Sequence, residues 1–203
     1  GAIVATNTSY LDVDELAAVL PHPERFLGLH FFSPAHIMKL LEVVRGKATS
    51  DATLAIGLAL AKRLGKQAVV AGNAYGFIGN RIYNAYRRHS EFLIQDGATP
   101  EAVDRAMTAF GMAMGPFAVT DLSGLDIAYR MRKATAASRD PKARYVDIAD
   151  RLCEAGRIGR KSGAGYYTYA DGKPAIDPIV AGIIATSRKE AGVTPRAIDD
   201  DEI

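Results

Sequence analysis

Gly28-Leu29-His30-Phe31-Phe32-Ser33-Pro34, followed by Leu40-Leu41-Glu42-Val43-Val44, is the stretch on which the fold of the first part of the chain turns. Both pieces are short apolar runs that read as strands, and Pro34 lies in the connection between them. Side chains alternate between faces along an extended strand. His30 therefore shares a face with Gly28 and Phe32, and Glu42 shares one with Leu40 and Val44. Each strand carries one polar residue among apolar neighbours. Burying a carboxylate is costly unless it is paired, so the simplest arrangement brings Glu42 to His30. An imidazole backed by a carboxylate is a general base, because the carboxylate fixes the tautomer and stabilises the ring once a proton arrives. A purely structural His–Glu pair joining two strands fits the same residues, and on the pair alone both readings stand.

Outward from this stretch the pattern is α/β. Ile3 to Thr6 reads as a strand ending in the polar turn Thr6-Asn7-Thr8-Ser9. Asp12 caps a helix through Leu20, with Glu15 three residues on as in a capping box. Ser50 caps a helix over Thr53 to Leu64 that stops at Gly65, and Gln67 to Ala71 is a fourth strand. After Gly72 only helices follow. One runs from Phe77 to Gln95. A second is opened by Thr99-Pro100, which places proline in the first turn, and runs to Phe110. A third starts at Pro116 and breaks near Leu122-Ser123-Gly124, and a fourth covers Tyr145 to Ala155. Gly159 to Tyr167 is glycine-rich and then aromatic. From Ala170 onward the chain is polar and reads as a linker with one apolar patch, Ile179 to Ile184. The expected division is residues 1–73, 74–169 and 170–203.

Composition narrows the classes. The chain has 203 residues, of which 48% are hydrophobic and 24% charged, with a formal net charge of +2. That balance gives no reason to expect a nucleic-acid partner. The basic clusters Arg87-Arg88, Arg130 to Lys133 and Arg157 to Lys161 read as solvated helix faces. Cys153 is the single cysteine, so no internal disulfide forms and a reducing compartment is expected. Its helical spacing with Ile148 and Leu152 reads as core. No apolar run approaches the roughly 20 residues that span a bilayer, and no signal peptide is visible. His22 and His36 lie in loops and His89 sits beside two arginines, so no metal-binding set is expected.

A second informative element is Tyr75-Gly76-Phe77-Ile78-Gly79-Asn80-Arg81, where the α/β part passes into the first long helix. The glycines permit close backbone approach. Asn80 falls in the first turn or so. Its carboxamide can donate to a carbonyl oxygen and accept from a hydroxyl, or simply make local hydrogen bonds at the helix start.

These pieces occur in order with Asn7-Thr8-Ser9, Met38-Lys39-Leu40, Met114-Gly115-Pro116-Phe117 and Gly163-Ala164-Gly165-Tyr166-Tyr167. Together, over about residues 1 to 169, they resemble the 3-hydroxyacyl-CoA dehydrogenase family of fatty-acid β-oxidation. The resemblance implies the C-terminal half of a Rossmann-like NAD-binding domain followed by an all-α dehydrogenase domain. It implies His30 as the base, Glu42 as its orienting carboxylate, Ser9 near the nicotinamide and the substrate hydroxyl, and Asn80 on the reacting acyl group. Ser33 falls where many members have an asparagine near the cofactor, and a serine there has shorter reach and no amide. Lys161 falls on a lysine that approaches NAD from the helical domain. The implied reaction is oxidation of an L-3-hydroxyacyl-CoA to a 3-ketoacyl-CoA.

No Gly-x-Gly-x-x-Gly turn, the usual dinucleotide fingerprint, occurs in the chain. The chain therefore reads as a fragment holding half of a cofactor site and nearly inactive alone, with an exposed sheet edge open to pairing. Its tail, Pro195 to Ile203, resembles the lead-in to a second helical unit in bifunctional enzymes that fuse an enoyl-CoA hydratase/isomerase to the dehydrogenase. Expected partners are the acyl-CoA substrate and either a second copy or a further helical domain. The expected location is bacterial cytoplasm or peroxisome. Two other readings are a related β-hydroxyacid dehydrogenase and a helical packing or dimerisation module without catalysis.

Overall fold

The computed structural model describes residues 1–203, which divide into two compact units, Gly1–Ala85 and Tyr86–Ile203. In the first unit four strands form one sheet in the order β1 (Val4–Thr6), β2 (Phe26–Phe31), β3 (Leu40–Arg45) and β4 (Gln67–Gly72). β1 and β2 are parallel, β2 and β3 antiparallel, and β3 and β4 parallel. Helix α1 (Val13–Ala18) is capped by Asp12, which accepts the amides of Asp14 and Glu15. The Asn73 side chain donates to Asp12 and holds that carboxyl below its usual range. Helix α2 (Asp51–Arg63) is capped by Ser50 on the Thr53 amide.

Strand alternation sorts the core into two layers. Leu27, Leu29, Leu41 and Val43 pack with Ala61, Leu54 and Leu58 of α2 on one face. Phe26 and Val44 pack with Val13 and Ala17 of α1, and with Phe77, on the other. His30 and Glu42 share the parity of this second layer. Gly57 lets α2 approach closely, since a Cβ there would stand 2.6 Å from Leu27 Cδ1.

Helix α3 (Gly79–Asp96) crosses the division between the units. The first compact unit extends to Ala85, because the chain entering α3 is hydrogen-bonded to the sheet through Glu42.

The second unit is helical: the rest of α3, then α4 (Pro100–Phe110), α5 (Pro116–Ser123), α6 (Leu125–Ala134), α7 (Ile148–Glu154) and α8 (Pro178–Glu190). Thr99 caps α4, and Gly111, at φ 118°, ends it. The core joins Ile94, Val103, Phe117, Leu125, Ile148, Leu152, Tyr166, Val180 and Ile184. Two buried aspartates organise it. Asp104 accepts the amides of Phe117 and Ala118 and the Tyr167 hydroxyl. Asp121 accepts the amides of Tyr166 and Tyr167 and the Tyr169 hydroxyl. Cys153 packs against this core, and burial pushes its thiol up to about 11.

Three expectations need correction. Residues 170–203 are not a free linker. Val180 and Ile184 of α8 are core residues, Ile198 and Ile203 pack against the same cluster, and the Arg196 amide donates to Asp96 O at 2.9 Å. Apolar spacing hidden in a polar stretch is the reason. Within the basic clusters, Arg157 is buried against Asp177 at 2.7 Å rather than solvated. Helix α7 starts at Ile148, not Tyr145, and the Tyr145 hydroxyl donates to Asp150 in its first turn.

Candidate active site

The antiparallel register places His30 directly opposite Glu42. Their side chains meet with Nδ1 2.6 Å from Oε2, and they are 4% and 1% exposed, respectively. The second carboxylate oxygen, Oε1, accepts the amide of Ile78 at 2.9 Å and that of Gly79 at 2.8 Å. One oxygen is thus committed to the imidazole and the other to backbone N–H groups at the positive end of α3. A carboxylate can only accept, so Nδ1 donates and Nε2 is left as the basic nitrogen.

Ser9 reaches that nitrogen: its Oγ lies 3.1 Å from Nε2. The turn beyond β1 delivers it there. Asn7 Oδ1 accepts the Phe31 amide at 3.0 Å and ties the turn to β2, while Thr8 Oγ1 accepts the Leu11 amide at 2.8 Å and closes the loop into α1. The rings of Phe32 and Phe77 lie 4.6 and 5.5 Å from the imidazole. Water is thereby kept from the pair, which strengthens its electrostatics.

Of the residues singled out from the sequence, the structure brings together His30, Glu42 and Ser9. Asn80 is the second residue of α3, half-buried and directly after the amide bonded to Glu42. Ser33 is exposed just beyond β2, before a cis bond to Pro34. Lys161 belongs to the second unit, where it pairs with Asp126 at 2.5 Å. Sequence reasoning missed the role of the Ile78 and Gly79 amides and of Asn7. A glycine-flanked helix start next to an expected buried carboxylate was the available signal for the former.

A sheet-borne imidazole–carboxylate pair at the strand ends, followed by a helical unit, is the layout of a two-domain dehydrogenase. Family models agree. Residues 1–74 match the NAD-binding domain of 3-hydroxyacyl-CoA dehydrogenase, and residues 76–169 match its C-terminal domain. The chain belongs to the 3-hydroxyacyl-CoA dehydrogenase family. It is 45% identical to the peroxisomal bifunctional enzyme of Cavia porcellus, covering 100% of this chain and 30% of that one. The chain thus spans about 30% of the length of such curated relatives. Among solved structures it is similar to (S)-3-hydroxybutyryl-CoA dehydrogenase from Ralstonia eutropha, with TM-score 0.74 and 38% identity over 83% of this chain and 61% of that one. It is also similar to the dehydrogenase part of multifunctional enzyme 1 from C. elegans, with TM-score 0.71 and 31% identity over 98% of this chain and 45% of that one.

The family's cofactor is NAD. In sheets of this kind ligands lie beyond the carboxyl ends of the strands. β1 and β2 lead to the Ser9–His30 contact at that end of the sheet. The 203 residues contain no Gly-x-Gly-x-x-Gly turn for the pyrophosphate.

Proposed function

We propose that this chain supplies the base and the acyl-positioning part of an NAD-dependent L-3-hydroxyacyl-CoA dehydrogenase, yielding the 3-ketoacyl-CoA. The observation that carries the reading is the Ser9–His30–Glu42 relay: a hydroxyl on Nε2, and a buried carboxylate on Nδ1. Ser9 marks where a substrate hydroxyl would share Nε2, and His30 takes its proton. Glu42 holds the ring in the required tautomer and offsets its charge afterwards. Bound NAD supplies the hydride acceptor. Ser9 borders it, with Ser33 as a further contact, and Asn80 holds the acyl group. Beside these residues Phe77, Ile78, Arg81, Ile82 and Ala85 line an open, mostly apolar hollow that suits an acyl chain.

The names of the curated relatives, a peroxisomal bifunctional enzyme and a peroxisomal fatty acid β-oxidation multifunctional protein, support a multifunctional whole, and the sequence resemblance makes its other part an enoyl-CoA hydratase/isomerase. They also support a peroxisomal location, with bacterial cytoplasm as the alternative reducing compartment. A second copy, or a further helical domain of the same protein, would pack on the second unit. The test is a substrate panel on the intact protein with NAD, comparing L-3-hydroxyacyl-CoA esters with the corresponding free hydroxy acids. Turnover of the esters alone supports the reading. Preference for free acids would move the protein to the β-hydroxyacid dehydrogenases.

A further inference from the structure

Phe77 is the only non-glycine residue with positive φ, at 48°. A bulky side chain adopts this region rarely, and such outliers persist only where packing over-determines them. The packing is present. Phe77 is 2% exposed and sits in the apolar layer with Val13, Phe26 and Val44. Gly76 before it is also left-handed, at φ 73°. The Phe77 amide closes the turn on Ala74 O at 2.8 Å. The next two amides, those of Ile78 and Gly79, are the pair that Glu42 Oε1 accepts.

We infer that Phe77 is a positioning residue: its left-handed backbone aims the Ile78 and Gly79 amides at Glu42 Oε1, so that Oε2 is held on His30. The inference rests on the reading of His30 as base. With Oε1 fixed by two donors, the carboxylate cannot rotate about its terminal bond. The only oxygen presented to Nδ1 is then Oε2. The Phe77 ring serves as the anchor that offsets the backbone cost, and the positioning acts through Glu42, separately from any contact Phe77 makes as part of the apolar hollow.

The test compares Phe77→Leu with Phe77→Ile. The two replacements have the same composition and nearly the same volume, but only isoleucine is branched at Cβ and resists positive φ. Both lose the ring equally. The first readout is proton NMR of the 203-residue chain: the far-downfield Nδ1–H signal of His30, and the amide signals of Ile78 and Gly79. Because both variants lose the ring-current shift of Phe77 at His30, Phe77→Leu is the reference: it should retain the downfield signal, while Phe77→Ile should lose that signal and shift both amides upfield relative to Phe77→Leu. In the intact protein Phe77→Ile should lower kcat at least about tenfold relative to Phe77→Leu, with KM changed by less than about threefold.

Identical spectra for the two variants overturn the inference whatever the activity. Spectra that separate as expected, in a protein that does not oxidise hydroxyacyl-CoA, leave the positioning role standing and sink the functional reading instead. If Phe77→Ile fails to fold, Glu42→Gln in the native backbone decides. Upfield movement of the Ile78 and Gly79 amides supports the arrangement, and unmoved signals overturn it.

Discussion

Ser9 Oγ lies 3.1 Å from His30 Nε2, the ring nitrogen that Glu42 leaves free. A hydroxyl at that distance can exchange places with, or share the nitrogen with, a substrate hydroxyl. Ser9→Ala should therefore lower kcat by about tenfold, one lost hydrogen bond in the transition state. Folding stability should change little, because Ser9 is only half-buried. Steady-state kinetics with a matched thermal melt checks both parts. Unchanged kcat would remove Ser9 from the reaction.

Asn80→Ala should impair acyl-CoA turnover while leaving NADH affinity within about twofold. Asn80 follows the amide of Gly79 that binds Glu42, at the start of α3, and the proposed role assigns it to the acyl group rather than to the dinucleotide. Fluorescence titration of NADH against kcat/KM for the acyl-CoA separates the two effects. An equal loss of NADH affinity would place Asn80 on the cofactor.

Asp121→Asn should destabilise the helical unit by about 2–3 kcal/mol. Asp121 is 1% exposed and accepts three donors, the amides of Tyr166 and Tyr167 and the Tyr169 hydroxyl. An amide keeps one acceptor oxygen and turns its NH2 toward a donor. Denaturant unfolding followed by far-UV circular dichroism measures the loss. A change below about 0.5 kcal/mol, the scatter of ordinary surface substitutions, would mean the site relaxes around the amide.

Glu91 gives a pH-dependent test. Burial pushes its carboxyl above the ordinary range, Arg87 and Arg132 pull it down, and Asp150 adds a further push upward. A folded value above the unfolded one means the contribution to stability is present at low pH and is lost as pH rises through the folded value. Glu91→Gln removes that loss. The Tm of the variant relative to wild type should therefore climb as pH rises above about 4, near the unfolded glutamate value. A flat or falling difference would show that Glu91 is fully compensated in its charged form.

Much of this was legible in the sequence because the signals are local. Strand alternation put His30 and Glu42 on one face, and Asp12, Ser50, Thr99 and Gly111 mark helix ends by their own chemistry. The unread parts are long-range. Nothing near Glu42 in the chain shows that its second oxygen meets amides 36 and 37 residues away. The packing of α8 depends on Arg188 reaching the carbonyls of Ile94, Gln95 and Ala98, more than 90 residues back for most of these bonds. The polar composition of residues 170–203 concealed that docking. Arg157 looked like part of a solvated basic run because its partner, Asp177, lies 20 positions downstream, beyond the glycine-rich turn.

The most direct measurement is kcat and KM of Glu42→Gln in the intact protein, with a 3-hydroxyacyl-CoA and NAD. Glutamine keeps the shape of the side chain but not the charge that stabilises protonated His30, an interaction realised mainly in the transition state. A base held by the 2.6 Å contact between His30 Nδ1 and Glu42 Oε2 requires kcat to fall by about 10² or more. KM should stay within about threefold. A kcat within about twofold of wild type, equivalent to about 0.4 kcal/mol, would contradict it and leave Glu42 a structural residue joining two strands.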